Sequence, residues 1–360
     1  MRLVRALGPP RREARLRGRG WVPGAVALAA ALVLGGLLAG GPTPASAGPV
    51  LQVVTTLPPI ADLVARVGGE RVEVSSLLPP GASPHAYEPR PLDVRRLSRA
   101  DLVMLVGAGL DEWMEPLLET AGGAPYLALA ETTRLLPASE EVRVLASNAG
   151  DGHAIGDGNA TEDGRAQEAE PGHEHDTGLW DPHVWLDPIR ARDDLAPAVA
   201  RALAEVDPAG REAYERNLAA LQAELTHLDQ DLRTLLAPYE GTRFVAVHSA
   251  WRYFAERYGL QQVASIQEFP GREPGPAWMA GVITLAREQG VRLVVAEAQF
   301  DPRLAEQLAR ETGAKVIRLD PLGGAGVAGM ESYDALMRAN AGRIAEALGA
   351  NGAEGAPGGS

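Results

Sequence analysis

DPAGREAYERNLAALQAELTHLDQDLRTLLAP, residues 207–238, carries the longest periodic pattern in the chain. Tyr214, Leu218, Leu221, Leu225, Leu228, Leu232 and Leu235 advance by alternating steps of four and three, which draws one apolar stripe along a helix. Asp207-Pro208 reads as an N-cap followed by proline at the first helical position, and Pro238 ends the run. A helix of this length spans ~40 Å. Such a stripe either forms a coiled-coil seam with a second chain or packs along its own fold.

The flanks favour the second reading. Before it, Val50–Thr55, Val72–Leu78, Leu102–Val106 and Tyr126–Leu129 read as strands, with helical spacing at Ile60–Val67, Pro91–Arg99 and about 192–205. After it, strands at Phe244–Val247, Val263–Ile266, Leu293–Ala296 and Val316–Leu319 alternate with helices at Trp251–Tyr258, Met279–Gln289, Arg303–Thr312 and Ser332–Leu348. Alternation of this kind predicts the α/β class: two lobes, each a mostly parallel sheet flanked by helices, joined by one long rigid helix. The expected lobes are 48–206 and 239–349, with 350–360 a disordered Gly/Ala-rich tail.

Residues 1–47 differ from the rest. Seven arginines face one glutamate, an apolar run follows over 24–40, and Ala45-Ser46-Ala47 supplies a small-residue cleavage site. That order predicts a secretory signal cut near Ala47 and a periplasmic product. The whole chain carries a net charge of −13; removing a leader with six surplus positive charges leaves about −19. Such an acidic protein repels nucleic acid and anionic lipid. There is no cysteine, so there is no disulfide, no thiolate ligand and no lipid attachment point; the expected product is a soluble, non-lipoprotein monomer. Residues 148–178 hold eight acids against Arg165 and almost no large apolar side chain, which predicts a long mobile loop.

The seven histidines fall into three groups. His227 sits on the long helix and reads as a surface residue. His153, His173 and His175 lie in the acidic loop. His85, His183 and His248 each stand beside turn residues at the end of an ordered element, as does Asp320 in Val316–Pro321. Ligands of α/β lobes bind beyond the carboxyl ends of strands, so these four groups are the candidates to converge. Three imidazoles and a carboxylate suit a borderline transition metal such as zinc, whereas carboxylate-only sets favour magnesium or calcium. The wide spacing and the lack of a compact ligand motif leave structural roles for these histidines open.

Several segments carry a family resemblance: Thr55–Ala61 (TTLPPIA), Pro79–Pro91 (PPGASPHAYEPRP), Asp181–Pro188 (DPHVWLDP), Phe244–Trp251 (FVAVHSAW), Glu297–Pro302 (EAQFDP) and Leu319–Gly323 (LDPLG). In this order they resemble the metal-specific substrate-binding proteins of ABC-type importers, in the zinc and manganese cluster, over about residues 50–347. The resemblance implies a metal held between two lobes by His85 and His183 from the first and His248 and Asp320 from the second. It also implies delivery to an inner-membrane ABC permease. Histidine at the third position points to Zn2+, with Mn2+ possible. The chain departs from the family in having only three histidines in its acidic loop, Pro84 before the first ligand, and no cysteine.

Metal binding needs neutral imidazoles, so affinity is expected to fall as pH drops through ~6.5. Two other readings compete. An exported zinc hydrolase would use Glu297 as its base and would need an open coordination position. A metal buffer or adhesin would need no permease.

Overall fold

The computed structural model describes residues 50–137, 180–267 and 271–349. The expected leader, the acidic loop 148–178 and the tail 350–360 lie outside the described residues. Among the described residues no helix is long and apolar enough to cross a membrane.

The first lobe runs β1 (Leu51–Thr55), α1 (Pro58–Gly68), β2 (Val72–Ser76), α2 (Pro91–Leu97), β3 (Leu102–Leu105), α3 (Met114–Thr120) and β4 (Tyr126–Ala128). Helix α4 (Ala196–Val206) follows a helical turn at Pro188–Arg190 and a π-turn at Ala191–Leu195. The long helix α5 covers Arg211–Leu236. The second lobe runs β5 (Arg243–Ala246), α6 (Arg252–Arg257), β6 (Gln261–Ser265), α7 (Pro276–Glu288), β7 (Leu293–Glu297), α8 (Arg303–Thr312), β8 (Lys315–Leu319) and α9 (Tyr333–Gly349).

Both sheets are fully parallel and share one plan, β2-β1-β3-β4 and β6-β5-β7-β8. Central strands β3 and β7 are buried along their whole length, as strands covered by helices on both faces must be. In each sheet the chain leaves the first strand in opposite directions, so the crevice beyond the strand ends is where a ligand fits.

The outer face of the first sheet packs on α2 and α3 through Val103, Leu97, Met114 and Leu118. The outer face of the second packs on α7 and α8 through Val245, Val294, Val282 and Leu308. The inner faces are not separate. One cluster runs from Val53 and Leu63 through Trp185, Leu225 and Leu232 to Phe244, Val295 and Ile344. Helix α5 lies along it, against α1 and α4 of the first lobe and α9 of the second. The stripe is therefore used within the chain.

Two details of α5 differ from the sequence reading. Asp207 does not cap the helix. Its carboxylate accepts from Arg71 and from the Tyr214 hydroxyl, while a 3-10 turn at Pro208–Gly210 leads into Arg211. The stripe ends on Leu236, fully buried, and Leu235 is 40 % exposed. A strict alternation of four and three keeps a period of 3.5, whereas a straight helix has 3.6 residues per turn. By the last turn the buried face has moved one residue forward. His227 is exposed, as expected.

The lobes also meet through specific bonds. Trp185 Nε1 donates to Pro321 O (2.8 Å), and the Tyr333 hydroxyl donates to Trp185 O (2.6 Å). The Tyr253 hydroxyl donates to Asp181 O and accepts from Leu136 N, both at 2.8 Å. Arg66 pairs with Asp334 (2.7 Å) and with Glu224.

Candidate metal centre

The structure brings His85, His183 and His248 together, with one ligand atom from each lying within 4.8 Å of the other two. His85 sits on a 3-10 turn, Pro84–Ala86. That turn is held from two sides. Trp113 Nε1 donates to Pro84 O (3.0 Å), and the Tyr87 hydroxyl donates to Asp93, the buried acid that also accepts from Arg90 N at the start of α2. His183 immediately precedes the turn Val184–Leu186, and His248 follows the end of β5.

Two of the rings are oriented by buried carboxylates. Asp181 Oδ1 accepts from His183 Nδ1 (2.8 Å) and from the His183 backbone N–H (3.0 Å). Glu297 Oε2 accepts from His248 Nδ1 (2.9 Å), while its Oε1 accepts from Trp251 Nε1 (3.3 Å). A proton fixed on Nδ1 leaves the Nε2 lone pair of each ring pointing inward. His85 Nε2 lies 3.4 Å from His183 Nε2 and 3.1 Å from His248 Nε2. Lone pairs so close repel one another unless a proton or a cation lies between them, and three neutral imidazole nitrogens form a transition-metal donor set. The cavity there measures about 10 Å³, room for a single ion or water, and is walled by Pro84, Trp185, Phe300 and Leu322.

Asp320 is not part of this group. Its Oδ1 accepts from Gln299 Nε2 (2.9 Å) and from Leu322 N (2.9 Å), and its backbone is paired with the Asn340 side chain. It lies at the end of β8, as the sequence suggested, but is tied into its own turn. Glu297 is 1 % exposed, and each of its oxygens accepts a ring N–H.

Sequence reasoning missed two residues beside the histidines. Asp181 was readable as an acid two places before His183, where a carboxylate can bond its own backbone two residues on. Gln299, which lines the cavity, gave no such signal.

Burial pushes the His85 imidazole down to about 2, helped by His248 and His183. Burial also lowers His183, against the opposing pull of Asp181. Both rings thus favour the neutral form more than they do in the unfolded chain, which takes up protons near ~6.5. Two consequences follow for the sequence-based expectation. At these two rings proton competition sets in below 6.5. Below 6.5 the unfolded state binds more protons than the folded one, so metal-free stability falls as pH falls. Thermal melts of metal-free protein from pH 7 to 5 should show a falling midpoint.

The chain matches the family model "Zinc-uptake complex component A periplasmic" over residues 53–347. A high-affinity zinc uptake system protein ZnuA from Paracoccus denitrificans is 33 % identical over 341 residues, covering 91 % of this chain and 99 % of the relative. A crystal structure of ZnuA superposes with a TM-score of 0.67 at 30 % identity, covering 83 % of this chain and 99 % of that one. A ZnuA deletion mutant with zinc bound gives 0.63, also at 30 % identity, over 83 % of this chain and 98 % of the other. The parallel two-lobed architecture, the three converging imidazoles and these matches together place the chain in the zinc-uptake complex component A family of periplasmic binding proteins.

Proposed function

We propose that the chain captures a zinc ion between its two lobes through His85, His183 and His248, and delivers it to an ABC-type permease. Mn2+ is the alternative cargo. The observation that supports this is the convergence of three imidazole nitrogens from both lobes, two of them with the opposite ring nitrogen held by a buried carboxylate. Ligand type favours zinc, because imidazole suits it better than it suits the harder Mn2+. Asp320 enters the proposal as an acid beside the site, with its Oδ1 held by Gln299 and Leu322.

Binding rather than catalysis is the reading the site supports. The acid that a hydrolase would need, Glu297, is committed to His248 and Trp251. Export through residues 1–47, cleavage near Ala47, a periplasmic location without a lipid anchor and a monomeric state complete the proposal.

Calorimetry on the purified, metal-stripped chain tests it. One zinc should bind per chain with Kd at or below roughly 1 nM, equivalent to ~12 kcal/mol. Manganese should bind more weakly. Micromolar binding at many equivalents, unaffected by changes at the three histidines, would reject the site.

A further inference from the structure

We infer that Tyr253 is a positioning residue for the metal centre: its hydroxyl bridges the two lobes and fixes how far the His183 ring stands from the His248 ring before any ion arrives. The inference rests on the reading of His85, His183 and His248 as ligands. Tyr253 lies in α6 of the second lobe and is 1 % exposed. Its hydroxyl donates to Asp181 O and accepts from Leu136 N, both groups of the first lobe. Asp181 is the residue whose carboxylate accepts from the His183 ring and from the His183 backbone. Tyr253 thus holds, by its main chain, the residue that holds His183 by its side chain.

The other end of this strut is anchored beside His248, which precedes Tyr253 by five positions. The connection between them is braced twice. Ala250 N donates to His248 O (2.9 Å), and His248 Nδ1 and Trp251 Nε1 both donate to Glu297. A closed chain of contacts therefore runs from His183 through Asp181, Tyr253, Trp251 and Glu297 to His248, whose ring centroid lies 4.8 Å from that of His183. The Arg190 guanidinium stacks on the Tyr253 ring at 4.9 Å and limits its movement. The Trp185–Pro321 and Tyr333–Trp185 bonds also cross between the lobes, but they tie the turn after His183 to segments that carry none of the three rings.

Two properties follow from a separation set by the protein. Ligands already in place bind more tightly, because the ion does not have to order them. A site of fixed size also selects among ions by radius, whereas a flexible one adapts to them. The cavity of about 10 Å³ is small, so a strut that keeps it from widening disfavours a larger soft cation such as cadmium. Removing the hydroxyl leaves Leu136 N and Asp181 O without their partner and frees the His183 support to drift from His248.

The test is parallel zinc and cadmium titration of the full chain and of Tyr253→Phe, Tyr214→Phe and His248→Ala, with cobalt(II) absorption spectra and metal-free melts alongside. Tyr253→Phe should weaken zinc about tenfold, the low end of the range for groups that support a ligand. It should also raise the cadmium-to-zinc affinity ratio and shift the cobalt bands. Tyr214→Phe removes another buried hydroxyl, one that donates to Asp207 at 2.8 Å. That control should lower the melting midpoint and leave the zinc Kd, the ratio and the bands at parent values. A Tyr253→Phe protein that melts lower but keeps the parent Kd, ratio and bands overturns the assignment, because Tyr253 then serves the fold alone. Should that variant not fold, Arg190→Met takes its place, since it removes the guanidinium stacked on the Tyr253 ring; parent values there overturn the assignment equally. If His248→Ala leaves zinc binding intact, it is the three-histidine site itself that fails.

Discussion

His248→Ala should raise the Kd for zinc by about a thousandfold, or ~4 kcal/mol of binding free energy. His248 alone brings an imidazole from the second lobe to the other two, with Nε2 3.1 Å from that of His85. Without it, no second-lobe ring closes the shell. The same change has a second cost, which separates ligand loss from misfolding. Glu297 is 1 % exposed and would keep only the 3.3 Å bond from Trp251 Nε1. A buried carboxylate stripped of its main partner destabilises the fold. His248→Gln should restore part of the stability by offering an amide N–H to Glu297 while leaving zinc affinity low. Denaturant melts alongside titrations resolve the two effects. Equal zinc affinity in parent and variant would exclude His248 as a ligand.

Trp185→Ala should cost ~3–5 kcal/mol of folding free energy, the range for deleting a large buried aromatic side chain. Trp185 has no exposed surface, belongs to the core cluster common to both lobes, and packs 5.3 Å from the His183 ring. Its Nε1 also carries the bond to Pro321 O, next to Asp320. Trp185→Phe retains most of the volume and loses that bond, leaving a buried carbonyl unpaired, so it should cost only ~1–3 kcal/mol. Urea unfolding of the three proteins checks the order. A Phe variant as unstable as the Ala variant would mean that the hydrogen bond, rather than the filled space, dominates.

The architecture was legible because its signals are local. Continuous apolar runs such as Leu102–Val106 and Leu293–Ala296 read as buried parallel strands, and the spacing of Tyr214 to Leu232 read as one helix face. Details that depend on tertiary partners were not legible. Asp207 looks like a cap until Arg71, from a distant turn, claims its carboxylate. The seven-residue helix Met114–Thr120 lacks a long apolar period, and Pro116 falls within it. For the site, His85, His183 and His248 were marked by their positions after ordered elements, and the structure gathers them. Asp320 shared that marker but points to partners of its own. Gln299 had no marker, since nothing in Glu297–Pro302 shows that an amide oxygen will be buried without a donor.

The core that runs through both lobes sets a mechanical condition. In a hinged pair of domains a bound ion can leave when thermal motion parts the halves, because little apolar surface is exposed by the swing. Here α5 and the Trp185–Pro321 and Tyr253–Asp181 bonds tie the two sheets into one packed unit. Each 100 Å² of that core uncovered costs ~2.5 kcal/mol. Parting the two lobes therefore works against the same packing that folds the chain.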